Sequence, residues 1–241
     1  MLIINIYFYA IKLLNNINLL KRIFNGRYFL RLFKSCNLLL PKHILFIHIP
    51  KTGGSSFENY LNTKYKQSLF GSQIYNIYII NEYRDITLQH QFYNTIYRYK
   101  DILNVNFDNE LKIITIVRNP YNRLVSDLFY NNLINKYTNV LKVYCILRDY
   151  IYSNNYDNHN VPQYKFITNE HNELINNIIL FRTETLTNDI INYGFTDYNN
   201  RIDNKGIEDN KNYLNYLNSD SINLINQFYK KDFELFNYSM I

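Results

Sequence analysis

The sequence predicts an α/β domain in which helices flank a mostly parallel central sheet. Segments with helical periodicity alternate along the chain with short, β-branched apolar stretches that are typical of buried strands. Hydrophobic residues make up 47% of the 241 positions, which is enough for the core of one domain. The strand candidates are residues 43–49, 74–80, 112–117 and 176–181.

The predicted helices carry apolar stripes at the spacing of helices that pack on a core. A short one is expected at 186–193, where Gly194 ends it. A last helix is expected at 219–236, opened by Ser219 or Asp220, and the polar stretch before it is predicted to be a loop. The other helices are expected near residues 55–66, 90–103, 120–132 and 136–153.

The first strand candidate ends at Pro50 and runs into a turn that suits a phosphate group. Two glycines let the backbone approach a ligand closely, and a serine that opens a helix presents N–H groups that favour an anion. The Walker loop places its lysine after the glycines, whereas here the lysine precedes them, so a different phosphate loop is predicted. The candidate ligands are Lys51, Thr52, Gly53, Gly54, Ser55 and Ser56.

A second strand–helix junction repeats this logic at residues 113–130. The strand candidate ends at Arg118, Asn119 is a natural helix cap, and Pro120 suits the first helical position. Ser126 lies in the first part of the following helix. We therefore expect Arg118 and Ser126 to face one anion.

These two segments resemble the nucleotide motifs of one enzyme family. Residues 50–56, Pro-Lys-Thr-Gly-Gly-Ser-Ser, resemble the 5′-phosphosulfate loop of sulfotransferases that use 3′-phosphoadenosine 5′-phosphosulfate (PAPS). Residues 118–126, Arg-Asn-Pro-Tyr-Asn-Arg-Leu-Val-Ser, resemble their 3′-phosphate motif. The resemblance, closest to the carbohydrate, Golgi-type branch, spans about residue 43 to the end and implies a P-loop-like three-layer domain. Weaker agreement comes from His90 and from residues 161–164, 181–184 and 228–236.

The resemblance implies PAPS as the sulfuryl donor and a hydroxyl, in this branch of a saccharide, as the acceptor. Lys51 would stabilise charge on the leaving group, residues 52–56 would hold the 5′-phosphate, and Arg118 with Ser126 would bind the 3′-phosphate. His90 would be the general base, for which a pKa near neutrality is expected, with a surface or capping histidine as the alternative. Lys205 is either a contact from a loop that closes over the nucleotide or a solvated charge.

The N-terminal residues 1–40 form a segment distinct from the predicted sulfotransferase domain at 41–241. Eight of the 26 basic residues and none of the 20 acidic ones precede Glu58, so the remainder holds 18 basic and 20 acidic groups. A nucleic-acid-binding domain should carry its basic patch on the folded body, which argues against such a partner. Residues 1–40 are instead expected to be a basic surface helix, a membrane anchor or a helix packed on the body, so the protein is membrane-associated or cytoplasmic.

Metal catalysis has no support in the sequence, because no histidine pair or cysteine pair has the spacing of a metal motif. No metal is expected. Two alternatives to a sulfotransferase stay open. One is an ATP-dependent phosphotransferase of similar fold, which the missing Walker pattern disfavours. The other is a non-catalytic nucleotide-binding remnant in which His90 is not placed to act.

Overall fold

The structure is a computed structural model that describes residues 44–65, 78–81, 84–103, 105–153, 156–199 and 212–241. Its strands are β1 (Ile44–Ile47), β2 (Tyr78–Asn81), β3 (Arg84–Thr87), β4 (Lys112–Val117) and β5 (Ile178–Arg182). Its α-helices are α1 (Gly54–Tyr65), α2 (Tyr93–Arg98), α3 (Lys100–Leu103), α4 (Pro120–Tyr130), α5 (Val140–Ile151), α6 (Leu186–Tyr193), α7 (Ser219–Phe228) and α8 (Lys230–Phe236).

The strands β1, β4 and β5 form a parallel sheet with β4 in the middle. Ile44 lies opposite Lys112 across one strand pair, and Ile113 lies opposite Ile178 across the other. Because the strands are parallel, their carboxyl ends meet at one edge of the sheet, where ligands of α/β proteins bind. The predicted α/β class, with helices flanking a parallel sheet, is confirmed.

Alternate residues of the strands face opposite layers of helices, as the period of a strand requires. On one face, Leu45 and Ile47 belong to a buried cluster with Phe166. On the other face, Phe46 belongs to a cluster with Phe57 and the residues of α6 that face the sheet. A further cluster joins the apolar sides of α4, α5, α7 and α8. The domain therefore has a helix–sheet–helix arrangement.

The strand candidate at 74–80 does not join the parallel sheet, and this expectation was wrong. Its described part, β2, pairs antiparallel with β3, a strand that the sequence analysis missed. Only two residues connect β2 to β3, which is enough for a hairpin but far too short for a parallel crossover. The hairpin leads directly into the short helical turn Leu88–His90.

Several helix boundaries differ from the expected ones for local reasons. The predicted helix at 219–236 is divided at Tyr229 into α7 and α8, and Asn218 caps it in place of Ser219 or Asp220. The helix predicted from residue 90 begins at Tyr93, and His90 lies in the turn that precedes it. Asn119 caps α4 as expected, since its side chain accepts from the backbone N–H groups of Tyr121 and Asn122.

Residues 1–40 and Lys205 lie outside the described residues. Within the described ranges, none of the helices combines the length and the apolar character needed to cross a bilayer.

Candidate active site

The turn after β1 is built around one buried threonine. The Thr52 side chain is fully buried, and its Oγ1 donates to the Ile49 carbonyl oxygen at 2.8 Å, which closes the turn. Gly53 has a φ of 88° and Lys51 a φ of 65°, a conformation uncommon for a residue with a side chain. Because such strain is held only where the surroundings impose it, the Lys51 backbone is set by this turn.

Gly54 begins α1 at the point where a side chain would collide with a neighbouring ring. A Cβ atom built on Gly54 would lie 2.7 Å from the His48 imidazole. The His48 Nδ1 lies 3.0 Å from both the Glu58 carboxylate and the Gln89 side-chain nitrogen. His48 is therefore a buried histidine whose ring has hydrogen-bonding partners.

The Lys51 amine lies over an aromatic ring in a partly desolvated place. Its Nζ is 3.9 Å from the centroid of the Tyr130 ring. Burial lowers the pKa of Lys51; the nearby Asp127 carboxylate opposes this shift, and Arg118 adds to it. A charge that has lost part of its hydration interacts more strongly with an anion than a fully solvated one does.

Arg118 meets the first phosphate motif at the carboxyl edge of the sheet. Its Nη1 donates to the Lys51 carbonyl oxygen at 3.0 Å. The Gln163 side chain holds the Arg118 backbone, accepting from its N–H at 2.9 Å and donating to its carbonyl at 2.8 Å. The fold therefore places Arg118 beside the turn that carries Lys51, although 67 residues separate them.

The predicted serine ligands occupy mixed positions. Ser55 and Ser56 lie half-buried in the first turn of α1, and the Ser56 Oγ is 3.0 Å from the hydroxyl of Tyr198. Ser126 lies half-buried on α4, the helix that follows Arg118. None of these positions tests whether the hydroxyls bind a ligand, so their roles stay predictions.

Arg123 supports the site through three backbone carbonyl groups. Its Nε donates to Pro50, its Nη1 to Val161 and its Nη2 to His159, in each case at the carbonyl oxygen and within 2.9 Å. The buried guanidinium thus connects α4 to the turn after β1 and to the segment around His159.

Arg182 and Glu184, at the end of β5 and just after it, contact different parts of the fold. The Arg182 guanidinium donates to the Phe236 carbonyl at 2.6 Å. Glu184 accepts from the Asn119 backbone N–H at 2.8 Å and from the Tyr238 hydroxyl at 2.9 Å. Glu184 therefore fixes the start of α4.

His90 is paired with an acid in a way that leaves one ring nitrogen for chemistry. Its Nδ1 lies 2.7 Å from an oxygen of Asp157, which also accepts from the Thr87 hydroxyl at 2.7 Å. A neutral His90 donates through Nδ1–H, so Nε2 keeps its lone pair. Burial lowers the pKa of His90 to about 4, although the Asp157 hydrogen bond opposes this. The expected pKa near neutrality was therefore wrong.

A second histidine–acid pair, missed by the sequence analysis, lies beside His90. The His159 Nδ1 is 2.7 Å from an Asp127 oxygen. Asp127 also accepts from the Tyr150 hydroxyl. Burial alone would raise the pKa of Asp127, but its hydrogen bonds from His159 and Tyr150 hold it below the ordinary value. The only signal in the sequence was the run Asp157-Asn158-His159-Asn160 ahead of the 161–164 segment.

One trio of described residues offers ligand atoms that a metal ion could reach. Atoms of His90, Asp157 and His159 all lie within 4.8 Å of one another. Neighbouring ligand atoms of a tetrahedral zinc ion are roughly 3.3 Å apart, given bonds of about 2.0 Å, so the side chains would have to move together to hold an ion. The expectation that no metal takes part stays a prediction.

The chain was compared with the profiles of known protein families. Residues 41–239 match the profile of the sulfotransferase family. The chain belongs to the sulfotransferase family. The predicted enzyme class is thereby confirmed: this sulfotransferase moves a sulfuryl group from a donor to an acceptor. No curated protein and no solved structure matches the chain.

The sulfotransferase has its two predicted phosphate motifs at neighbouring strand ends. The Thr183 hydroxyl, directly after β5, donates to the carbonyl oxygen of Thr52 at 2.6 Å and lies 3.2 Å from that of Val117. This hydroxyl links the ends of β4 and β5 to the turn that follows β1. The same edge of the sheet can therefore present Lys51, the glycines and Arg118 to one anionic ligand.

Proposed function

We propose that the donor of this sulfotransferase is PAPS and that the acceptor is a hydroxyl group of a saccharide. The observation that carries the donor assignment is the hydrogen bond from Arg118 to the Lys51 carbonyl, because it brings the two phosphate motifs into one site. The saccharide assignment rests on the likeness of the motifs to the carbohydrate branch of the family. The lowered pKa of Lys51 supports a role for this amine against an anion.

Each residue of the site has a distinct role in this proposal. The N–H groups of residues 52–56 and the hydroxyls of Ser55 and Ser56 hold the 5′-phosphate, and Arg118 and Ser126 bind the 3′-phosphate. The Thr52 hydroxyl, predicted as a ligand, is instead buried and donates to Ile49. Lys51 stabilises the negative charge that grows on the 5′-phosphate oxygen as its bond to sulfur breaks. His90, neutral at pH 7 and oriented by Asp157, accepts the proton of the attacking hydroxyl at Nε2.

The alternatives are less well supported. The family match with sulfotransferases leaves no observation that favours an ATP-dependent phosphotransferase. A non-catalytic remnant would have no reason to retain a buried histidine–acid pair with a free ring nitrogen beside the phosphate motifs. We also propose that residues 1–40 attach the enzyme to a membrane surface, because they combine basic and apolar residues without acids.

The donor proposal is tested by transfer of radiolabelled sulfate from PAPS to a panel of desulfated glycans, phenols and tyrosyl peptides. We expect transfer to a glycan by the wild-type enzyme. We expect Lys51→Ala to lower the rate by about 10² to 10³, since such losses follow removal of a donor that stabilises developing charge.

The control is Lys136→Ala, which removes another lysine that lies over a tyrosine, Tyr137, at an exposed position outside the site. It should leave transfer unchanged. Near-normal turnover by Lys51→Ala would remove Lys51 from the mechanism, and transfer only to phenols or peptides would overturn the saccharide assignment.

A further inference from the structure

Besides the pair formed by His48 and Glu58, two histidine–acid pairs lie side by side in this site. The ring centroids of His90 and His159 are 4.8 Å apart, with the rings nearly perpendicular. Each Nδ1 lies 2.7 Å from a carboxylate oxygen, of Asp157 in one pair and of Asp127 in the other. General base catalysis requires one such pair, so the second needs another explanation.

The two acids give both rings the same hydrogen-bonding character. Of the two neutral forms of each ring, a carboxylate at Nδ1 selects the one that carries its proton there, and Nε2 is then an acceptor. Within the described part of the chain, the Nε2 atoms of His90 and His159 have no hydrogen-bond partner. With both rings neutral, the pair presents two neighbouring acceptors at Nε2 and no donor there.

A ligand that satisfies both rings must bring two donors. One hydroxyl has one proton and can donate to only one of the two nitrogens. The side chains of His90 and His159 are only 10% and 11% exposed, so an acceptor left unpaired by a bound ligand would lose its contact with water at a cost in affinity. Two hydroxyls on adjacent carbon atoms can donate to both.

His159 is linked to Lys51 through a residue that both of them contact. Its ring stacks on Tyr130, with centroids 5.5 Å apart and an angle of 11° between the planes. The same Tyr130 ring carries the Lys51 amine at 3.9 Å. In addition, Arg123 donates both to the His159 carbonyl and to that of Pro50, next to Lys51. The histidine pair therefore lies at the end of the donor site where transfer would take place.

We propose that His159, oriented by Asp127, is a second acceptor-binding residue, and that His90 and His159 together select an acceptor with two neighbouring hydroxyls. This inference rests on the proposed function and narrows its acceptor class. His90 Nε2 takes the proton of the first hydroxyl as its oxygen bonds to sulfur and the bond from sulfur to the 5′-phosphate oxygen breaks. His159 Nε2 accepts a hydrogen bond from the second hydroxyl, which keeps its proton and is not sulfated.

The test uses the glycan acceptor found in the transfer assay and two deoxy analogues, with a chelator present to remove metal ions. One analogue lacks the hydroxyl next to the sulfated position, and the control analogue lacks a distant one. For the wild-type enzyme, kcat/KM should fall about threefold to tenfold with the first analogue, the effect of one neutral hydrogen bond, and stay unchanged with the control.

Three variants separate the roles of the histidines. His159→Phe keeps an aromatic ring against Tyr130; it should lower kcat/KM with the parent glycan by the same threefold to tenfold and no longer distinguish the first analogue. His90→Ala should lower kcat with both and preserve their ratio. His171→Ala, at an exposed histidine, should behave as wild type. Binding of 3′-phosphoadenosine 5′-phosphate by each variant reports whether the donor site is folded.

The outcomes separate this inference from the proposed function. Wild-type enzyme that uses the first analogue as well as the parent glycan overturns the inference, whatever the variants do, while sulfuryl transfer stands. The inference is also overturned, while sulfuryl transfer stands, if only acceptors with a single hydroxyl are sulfated or if His159→Phe still distinguishes the first analogue from the parent glycan. If PAPS supports transfer to no acceptor, the proposed function fails and the inference fails with it.

Discussion

At the scale of single residues, the site depends on how burial and a paired acid set the protonation of each imidazole. His90 is neutral well below pH 7 because burial lowers its pKa to about 4. A basic group whose pKa is lower in the folded than in the unfolded protein favours the folded state only when it is deprotonated. Its contribution is present above the ordinary pKa of about 6.5 and is lost as the pH falls through about 4.

The pH dependence of transfer follows from this value. If His90 is the base, kcat/KM for the acceptor at saturating PAPS should be nearly constant between about pH 5.5 and 7.5, and should fall only as His90 is protonated near pH 4. His90→Ala should lower kcat while leaving the binding of 3′-phosphoadenosine 5′-phosphate unchanged. An acidic limb near pH 6.5 that survives in His90→Ala would identify a different base.

The sequence alone predicted the residues that follow strands and missed those brought together by the tertiary fold. Lys51 and Arg118 could be proposed from the sequence because each belongs to a local strand–turn–helix pattern. His159 and Asp127 are 32 residues apart and belong to no motif with a fixed spacing, so nothing local pairs them. The pKa of His90 was predicted wrongly for the same reason, since burial is a property of the folded chain.

At the scale of elements, the start of α4 joins the sheet to the predicted 3′-phosphate motif. The Asn119 side chain caps the helix, and the Asn119 backbone N–H donates to Glu184. The sequence predicted this cap and the helix, because Asn followed by Pro is a strong start signal. It did not predict β3, since Arg84-Asp85-Ile86-Thr87 contains only one large apolar residue and lacks a strand pattern.

Removing the cap should affect both stability and binding. Asn119→Ala should lower the free energy of unfolding by about 1 kcal/mol in urea titrations, because two N–H groups lose their acceptor. It should also weaken binding of 3′-phosphoadenosine 5′-phosphate several-fold, since the preceding residue is Arg118.

The matched control is Asn139→Ala, which removes the cap of α5 away from the phosphate motifs. It should lower stability by a similar amount and leave nucleotide binding unchanged. Equal weakening of nucleotide binding by both variants would mean that the effect comes from general destabilisation and not from the position of Arg118.

At the scale of the whole molecule, the parallel sheet brings distant segments to one edge. The N-terminal segment differs from the rest of the chain in charge, since it has basic residues and no acidic ones. The order of alternating elements was predictable because buried strands and amphipathic helices have distinct periods. The sequence did not predict which strand candidates join the parallel sheet. Side chains alternate with a period of two residues in any strand, so this pattern is the same for β2 in a hairpin as in a parallel sheet.

Deleting residues 1–40 should leave nucleotide binding intact, because both phosphate motifs lie beyond Pro41. The full-length enzyme should bind anionic vesicles, and the truncated enzyme should not. Salt should release a surface-bound segment by screening its basic residues, whereas release only by detergent would indicate a spanning segment. Aggregation or loss of nucleotide binding after truncation would show that the segment is part of the folded body.

The central claim is that the turn after β1 and the end of β4 form one site that binds both phosphates of the proposed donor. Calorimetric titration of 3′-phosphoadenosine 5′-phosphate and of adenosine 5′-monophosphate tests it directly, with wild type, Arg118→Ala and the exposed control Arg148→Ala. Arg118→Ala should weaken the first ligand about tenfold or more, the value of a charge-assisted contact, and leave the second unchanged. Equal weakening of both ligands, or of neither, would contradict the account.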